Sequence, residues 1–281
     1  MHRTIATHAS ALRLMAPALL RAAAFGTVML FAACAPLSER GSLPAGAPPP
    51  ARAPQTSETA PADFPFADYE VARKRRDDVY VVDSARSLVT VVVHRGGRLA
   101  RLGHDHVVAS REVNGFVDVT AGRADLYARL DRMSVDEPAL RREAHFDTQP
   151  SATDIAGTRT NMLERVLQVE KHPFVEVAVR RVAPPPATDT PAATSAATGM
   201  RVSMVLNGVS REVPVKLTMN EHGDDFEVSG SFSIDQTDFG LVPMSLFGGA
   251  ITVENRLDLS FDVRARRETA PIAATAYRRS D

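Results

Sequence analysis

The chain has 281 residues, 44% hydrophobic and 24% charged, with a formal net charge of −1 and a single cysteine, Cys34. Near-neutral charge argues against nucleic acid, or an anionic membrane face, as a partner held by bulk charge. One cysteine excludes an internal disulfide framework.

Residues 1–33 read as an export signal. Arg3, Arg13 and Arg21 precede an apolar run, Ala22 to Ala33, that is too short to span a bilayer as a helix. Its end, Leu30-Phe31-Ala32-Ala33-Cys34, resembles the lipobox of bacterial lipoproteins, with Phe31 where leucine is usual. The resemblance implies that Cys34 is lipidated and becomes the N-terminus of a periplasmic protein anchored to a membrane. A soluble periplasmic protein cut nearby is the alternative. Residues 34–68 are rich in Pro and Ala and lack apolar periodicity, which predicts a flexible tether with polyproline II character. Lys74-Arg75-Arg76-Asp77-Asp78 reads as a solvated approach to the first strand, with a basic docking patch as the alternative.

A single domain is expected over residues 69–266, followed by a disordered tail over 267–281. Val79–Val82 and Leu88–His94 are β-branched and read as strands. Val107–Val119 reads as one strand bent near Ser110 to Glu112. Ala124, Leu126, Ala128 and Leu130 alternate with polar neighbours, and Phe174–Val182 is another strand. Between these, Ser134-Val135-Asp136-Glu137 has capping-box form ahead of Pro138 and predicts a short helix. A second helix is predicted over Ser151 to Val169, with Thr153 as candidate cap and Ile155, Met162, Val166 and Val169 at helical spacing. Ala183–Gly199 is rich in Pro, Ala and Thr and predicts a disordered loop.

Met200 to Ala265 carries the clearest pattern, four strands that are apolar at every second position. They run Met200, Val202, Met204, Leu206; then Val213, Val215, Leu217, Met219; then Phe226, Val228, Gly230, Phe232, Ile234. The last runs Ile251, Val253, Leu257, Leu259, Phe261, Val263. Turns at Asn207-Gly208 and Gly223-Asp224 make this an antiparallel meander. The expected fold class is all-β, an antiparallel barrel of about eight strands with one or two short helices between them. Alternation places Val215, Leu217, Phe232, Ile234, Leu257, Leu259 and Phe261 inside. Such residues either fill a barrel or line an apolar lumen that takes a hydrocarbon. Leu246-Phe247-Gly248-Gly249-Ala250 reads as a mobile rim or a plain hairpin connection.

Gly103-His104-Asp105-His106 is the polar constellation that stands out. On a strand, His104 and His106 share a face and Asp105 points away. Spacing i, i+2 can present two imidazoles to one metal, with His94, His145 or His172 as further candidates, but no third ligand is fixed by spacing. The pair can equally touch a ligand headgroup or serve structure alone. No G-x-S-x-G motif supports nucleophilic catalysis.

The order of several segments resembles the YceI-like family of bacterial periplasmic proteins. The pieces are Asp83-Ser84-Ala85-Arg86-Ser87, His106 ahead of Val113-Asn114-Gly115-Phe116, and Asn161-Met162-Leu163 with Val166-Leu167. Then follow His172-Pro173-Phe174, Leu206-Asn207-Gly208-Val209-Ser210-Arg211-Glu212-Val213, and Phe232 to Leu241. The Ala183–Gly199 insertion, the lipobox and the Leu102 to His106 region depart from the usual pattern. The resemblance implies an eight-stranded lipocalin-like barrel holding an isoprenoid lipid, a polyprenyl chain or a quinone, with no cofactor of its own. Channel lining is then expected from the seven apolar residues above with His104 and His106. A metal-dependent enzyme on His104 and His106, and a packed barrel that binds a protein on its outer face, are the alternatives. Oligomeric state is left open.

Overall fold

The computed structural model describes residues 59–182 and 199–267. The export signal, Cys34, most of the tether, the inserted loop up to Gly199 and the tail beyond Arg267 lie outside the described residues. Among the described residues, no helix is long and apolar enough to cross a membrane.

The chain opens with helix α1 (Phe66–Lys74), then strands β1 (Val79–Val82), β2 (Leu88–Gly96), β3 (His106–Ser110), β4 (Val113–Asp118), β5 (Arg123–Arg129) and β6 (Ser134–Val135). Helices α2 (Pro138–Glu143) and α3 (Ala152–Asn161) follow, the latter running into a π-helical turn, Met162–Val166. The remaining strands are β7 (Phe174–Arg181), β8 (Met200–Leu206), β9 (Val209–Glu212), β10 (Lys216–His222), β11 (Asp225–Asp235), β12 (Ser245–Leu246) and β13 (Ile251–Arg267). All pairings are antiparallel, in the order β6-β3-β2-β13-β1-β4-β5-β7-β8-β9, with β11 on the other edge of β13 and β10 beyond it.

The all-β antiparallel class therefore stands, but the expected closed sheet of about eight strands does not. Thirteen strands join one sheet among the described residues, and its hydrogen-bonded ladder is open between β9 and β10. The count rises because one expected strand divides and three short strands, β6, β9 and β12, were not expected. The stretch from Val107 to Val119 breaks at Arg111-Glu112 into β3, which pairs with β2, and β4, which pairs with β1 and β5. The stretch 209–222 breaks at Val213-Pro214-Val215, where Pro214 has no N–H to donate to a ladder. Its first half pairs with β8 and its second with β11, so the covalent chain itself crosses the gap. The turns follow expectation. Asn207 and Gly208 have φ of 53° and 72°, as a type I′ hairpin demands, and Gly223 has φ 61°.

β13 organises the sheet. It pairs along one edge with β11 and along the other with β2 and β1. Its register against β2 slips between Val253 and Leu257, where Glu254, Asn255 and Arg256 oppose His94 alone. Two extra residues leave the alternation intact, so Ile251 to Val263 keep one set of side chains inward. In β11, Gly230 is required, because a Cβ there would meet Lys216 O at 2.1 Å and the Phe261 ring at 2.8 Å.

The outer face of β4, β5 and β7 is not left to water. Helix α1 lies across it, and Tyr69, Phe64, Phe116, Tyr127 and Phe174 pack together beneath. Tyr69 is fully buried; its hydroxyl donates to Asp125 Oδ2 at 2.7 Å, and the Arg123 guanidinium lies 4.5 Å above its ring. Burial, then the Asp125 carboxylate, hold the phenol well above its ordinary pKa. Ordered packing thus begins before Tyr69, inside the expected tether. Lys74 to Asp78 finishes α1 and turns into β1, with Lys74, Arg75 and Arg76 exposed.

Both expected helices form, with different caps. Ser151, not Thr153, caps α3, in a box with Asp154: the Asp154 N–H donates to Ser151 Oγ at 3.2 Å and the Ser151 N–H to Asp154 Oδ2 at 3.0 Å. α2 is capped at Glu137 without a side-chain bond, and Ser134 belongs to β6. Ile155, Met162 and Val166 of the α3 segment pack against the principal core.

Candidate functional site

The alternation in the sheet leads to a cavity. Side chains of β2, β3, β5, β7, β8, β10, β11 and β13 that face inward do not meet in the middle; they surround a space of about 710 Å³. That lies within the roughly 300–1,000 Å³ usual for ligand sites. The inward side chains leave this space between them and do not close over it. Along β13 the lining runs from Ile251 to Val263, roughly 35 Å of strand, so the space is long and narrow. Val113 and Val263 belong both to the lining and to a packed cluster with Tyr80, Val82, Phe226 and Ala265, which forms the floor.

Val215, Leu217, Phe232, Ile234, Leu257, Leu259 and Phe261 all line this cavity, as do His104 and His106. Sequence reasoning did not name the contributions of Val175, Val177 and Val179 in β7, of Val202, Met204 and Leu206 in β8, or of Met162 and Val166 beside α3. The strand residues carried the same period-2 signal, unused for want of a register between the two halves of the chain.

At the end opposite the floor the lining turns polar. His104 and His106 stand with ring centroids 6.3 Å apart, and Asp105 points elsewhere, accepting from the Arg95 N–H at 2.9 Å. His106 Nδ1 lies 2.6 Å from Asp136 Oδ2, and Asp136 Oδ1 accepts from Arg141 Nη1 at 2.7 Å and from the Val107 N–H at 3.1 Å. Arg141 also donates to the carbonyls of Asp105 and Thr148. Asp136 and Arg141 are only 3% and 4% exposed, so this is an interior ion pair tied to the mouth through one imidazole. Burial pushes the Asp136 carboxyl up, but the bonds from His106, Arg141 and Val107 outweigh it and hold it below its ordinary range. Facing a carboxylate, Nδ1 is the donor of that bond, which in the neutral ring makes Nε2 an acceptor. His104 Nδ1 is buried without a hydrogen-bond partner.

Asp136 and Arg141 were not legible as site residues. The residues around Asp136 resemble a helix start, whereas its φ of 57° and its bond to His106 come from tertiary contact across 30 positions. Of the further histidines considered, His94 lines the mouth and sits 3.6 Å from Asp105, while His172 lies against Gly208. Among the described residues, no group of three or more His, Cys, Asp or Glu side chains is placed to hold a metal ion.

An antiparallel β-protein wrapped around a long apolar cavity, with a histidine-bearing mouth, is a class defined by its interior. The chain belongs to the YceI-like family, whose domain model matches residues 80–265. Solved structures are similar at low identity. A polyisoprenoid binding domain from Saccharophagus degradans implicated in plant cell wall breakdown is 13% identical, with 67% of this chain and 98% of that one covered at a TM-score of 0.45. BcnA of Burkholderia cenocepacia is 12% identical, covering 65% of this chain and 98% of its own, at 0.42. A mutant YCEI protein of Campylobacter jejuni is 13% identical, covering 56% and 82%, at 0.35. No curated protein matches the sequence.

Proposed function

We propose that the protein is a periplasmic, lipid-anchored carrier or store that holds an isoprenoid-type lipid, a polyprenyl chain or an isoprenoid quinone, in its cavity. The observation that carries this reading is the cavity itself: long, narrow, and lined almost throughout by Val, Leu, Met, Ile and Phe. A hydrocarbon chain entering it gains about 0.8 kcal/mol per buried CH₂, with no directional contact needed along its length. The family resemblance supports an isoprenoid over other chains. The sheet takes the part of a lipocalin-like barrel, and His104 and His106 take the headgroup: Nε2 of His106 is suited to accept from a hydroxyl, and the unpartnered Nδ1 of His104 to donate to a carbonyl or phosphate oxygen.

Organic extraction of the purified protein followed by mass spectrometry tests this. A near-stoichiometric isoprenoid lipid is expected, and His104→Ala is expected to reduce the amount retained without loss of fold. Extracts holding only bulk phospholipid, or nothing, would sink the proposal. Stoichiometric metal in the same preparation would favour the metal-binding alternative.

Anchoring makes a separate expectation. Cys34→Ser should move the processed protein from the membrane fraction to the soluble periplasmic fraction, because lipidation supplies the apolar attachment. If the processed variant still sediments with membranes at high salt, Cys34 is not the anchor.

A further inference from the structure

The loops around the mouth are apolar where they meet water. Leu102 is 62% exposed, Leu246 44% and Phe247 80%, and all three also line the outer end of the cavity. Single exposed apolar residues are ordinary. These are grouped: the Leu99 N–H donates to Ala250 O at 2.8 Å, and Leu246 pairs with Ile251, which sets the 97–103 and 240–250 loops side by side. Exposed Val242 lies on the second of these loops.

Phe247 is unusual twice over. Its φ is 50°, followed by Gly248 at 63° and Gly249 at 89°. A bulky L-residue seldom adopts the left-handed region, and such strain gathers where a structure does something with it. Here the strained residue is an aromatic ring held out into solvent at the rim of an apolar cavity.

The charge beside it is equally specific. Arg98 and Arg101 are exposed on the 97–103 loop and form no ion pair among the described residues. Arg95, at the base of that loop, is taken up by Asp105 and Asp147.

We propose that this rim docks on a bilayer containing anionic phospholipid. Leu102, Leu246 and Phe247 enter the boundary between headgroups and acyl chains, and Arg98 and Arg101 lie against phosphates. The inference rests on the reading of the cavity as a lipid channel, and names the surface from which that channel fills. An isoprenoid chain then passes from acyl region to cavity lining without crossing water. The net charge of −1 does not oppose this, since attraction to a surface is decided within a Debye length of about 8–10 Å.

The chain contains no tryptophan, so Phe247→Trp places a sole indole at the rim. The full chain with this substitution is mixed with vesicles of phosphatidylcholine and phosphatidylglycerol in equal parts. Indole emission is expected to move to shorter wavelength and to be quenched by phosphatidylcholine brominated near the top of its chains. Adding Arg98→Gln and Arg101→Gln should weaken the insertion of the indole roughly 30-fold in these vesicles and change little in pure phosphatidylcholine. Leu246→Trp provides a second reporter should Phe247→Trp fold poorly. Emission that stays at its aqueous position, unquenched, overturns the proposal even where the protein sediments with vesicles through its N-terminus. A shift already complete without vesicles means that a second copy covers the rim, and also overturns it. The indole reports docking whether or not lipid fills the cavity, so failure of the rim is separable from failure of the channel, which extraction reads.

Discussion

Leu259→Glu is expected to destabilise the protein by about 3–5 kcal/mol at neutral pH and to abolish lipid retention. Leu259 lies mid-strand on β13, 9% exposed, opposite Phe232 on β11 and Val91 on β2, with the cavity in front of it. Both cross-strand neighbours are apolar, so an ionised carboxylate would be buried without a partner beside it. The sign of the pH dependence follows. Desolvation raises the introduced carboxyl's folded-state pKa above its unfolded value of about 4.3. The folded state then binds more protons than the unfolded one, so the penalty is absent below about pH 4 and grows as pH rises through the unfolded value. Ser260→Ala is the control. Its neighbour on the strand faces outward, where Ser260 Oγ meets Thr90 Oγ1 at 2.7 Å in an exposed position, and the change should cost under about 0.5 kcal/mol. Urea unfolding at several pH values, with extraction of each variant, measures both effects. Equal losses for Leu259→Glu and Ser260→Ala would contradict the assigned faces.

That prediction uses information already present in the chain, and it shows which parts of the fold were open to reading. Period-2 patterning survives wherever one face meets water and the other does not, so β8, β11 and β13 could be read to their inward residues. The slip at Glu254 to Arg256 did no harm, because two extra residues restore parity. What patterning could not reveal was where a strand changes partner. The break at Arg111-Glu112 and the one at Pro214 reflect the geometry of turning a twisted sheet around a space. A local apolar count does not encode this. Nor could it show α1, whose Phe66 and Tyr69 look like the end of a Pro-rich tether until Phe116, Tyr127 and Phe174 on three other elements give them something to cover. The histidines were visible as a pair by spacing. Their orientation was not, because it depends on a buried carboxylate and guanidinium 30 and more residues away.

That buried pair supplies the other large expected effect. Asp136→Ala should cost about 3–5 kcal/mol, because it leaves the Arg141 guanidinium, itself 4% exposed, without its counter-charge. It also removes the acceptor that fixes His106 and Val107, and puts alanine at a φ of 57°. Asp136→Asn separates these causes. Asparagine tolerates the left-handed backbone and keeps one acceptor, so the loss should fall to about 1.5–3 kcal/mol, the range for hydrogen bonds to charged groups. The pH dependence then identifies the charge. Asp136 is held below its ordinary carboxyl range by His106, Arg141 and Val107 against the opposing effect of burial. A carboxyl depressed in the folded state binds fewer protons there than when unfolded, so its contribution is fully present above about pH 4. It is lost as pH falls through the lower folded value. Parent and Asp136→Asn should therefore differ most at neutral pH and converge in acid, as read by urea midpoints at constant ionic strength. A gap of constant size down to the lowest pH at which both fold would mean that shape and hydrogen bonding, not the Asp136 charge, hold His106 at the mouth.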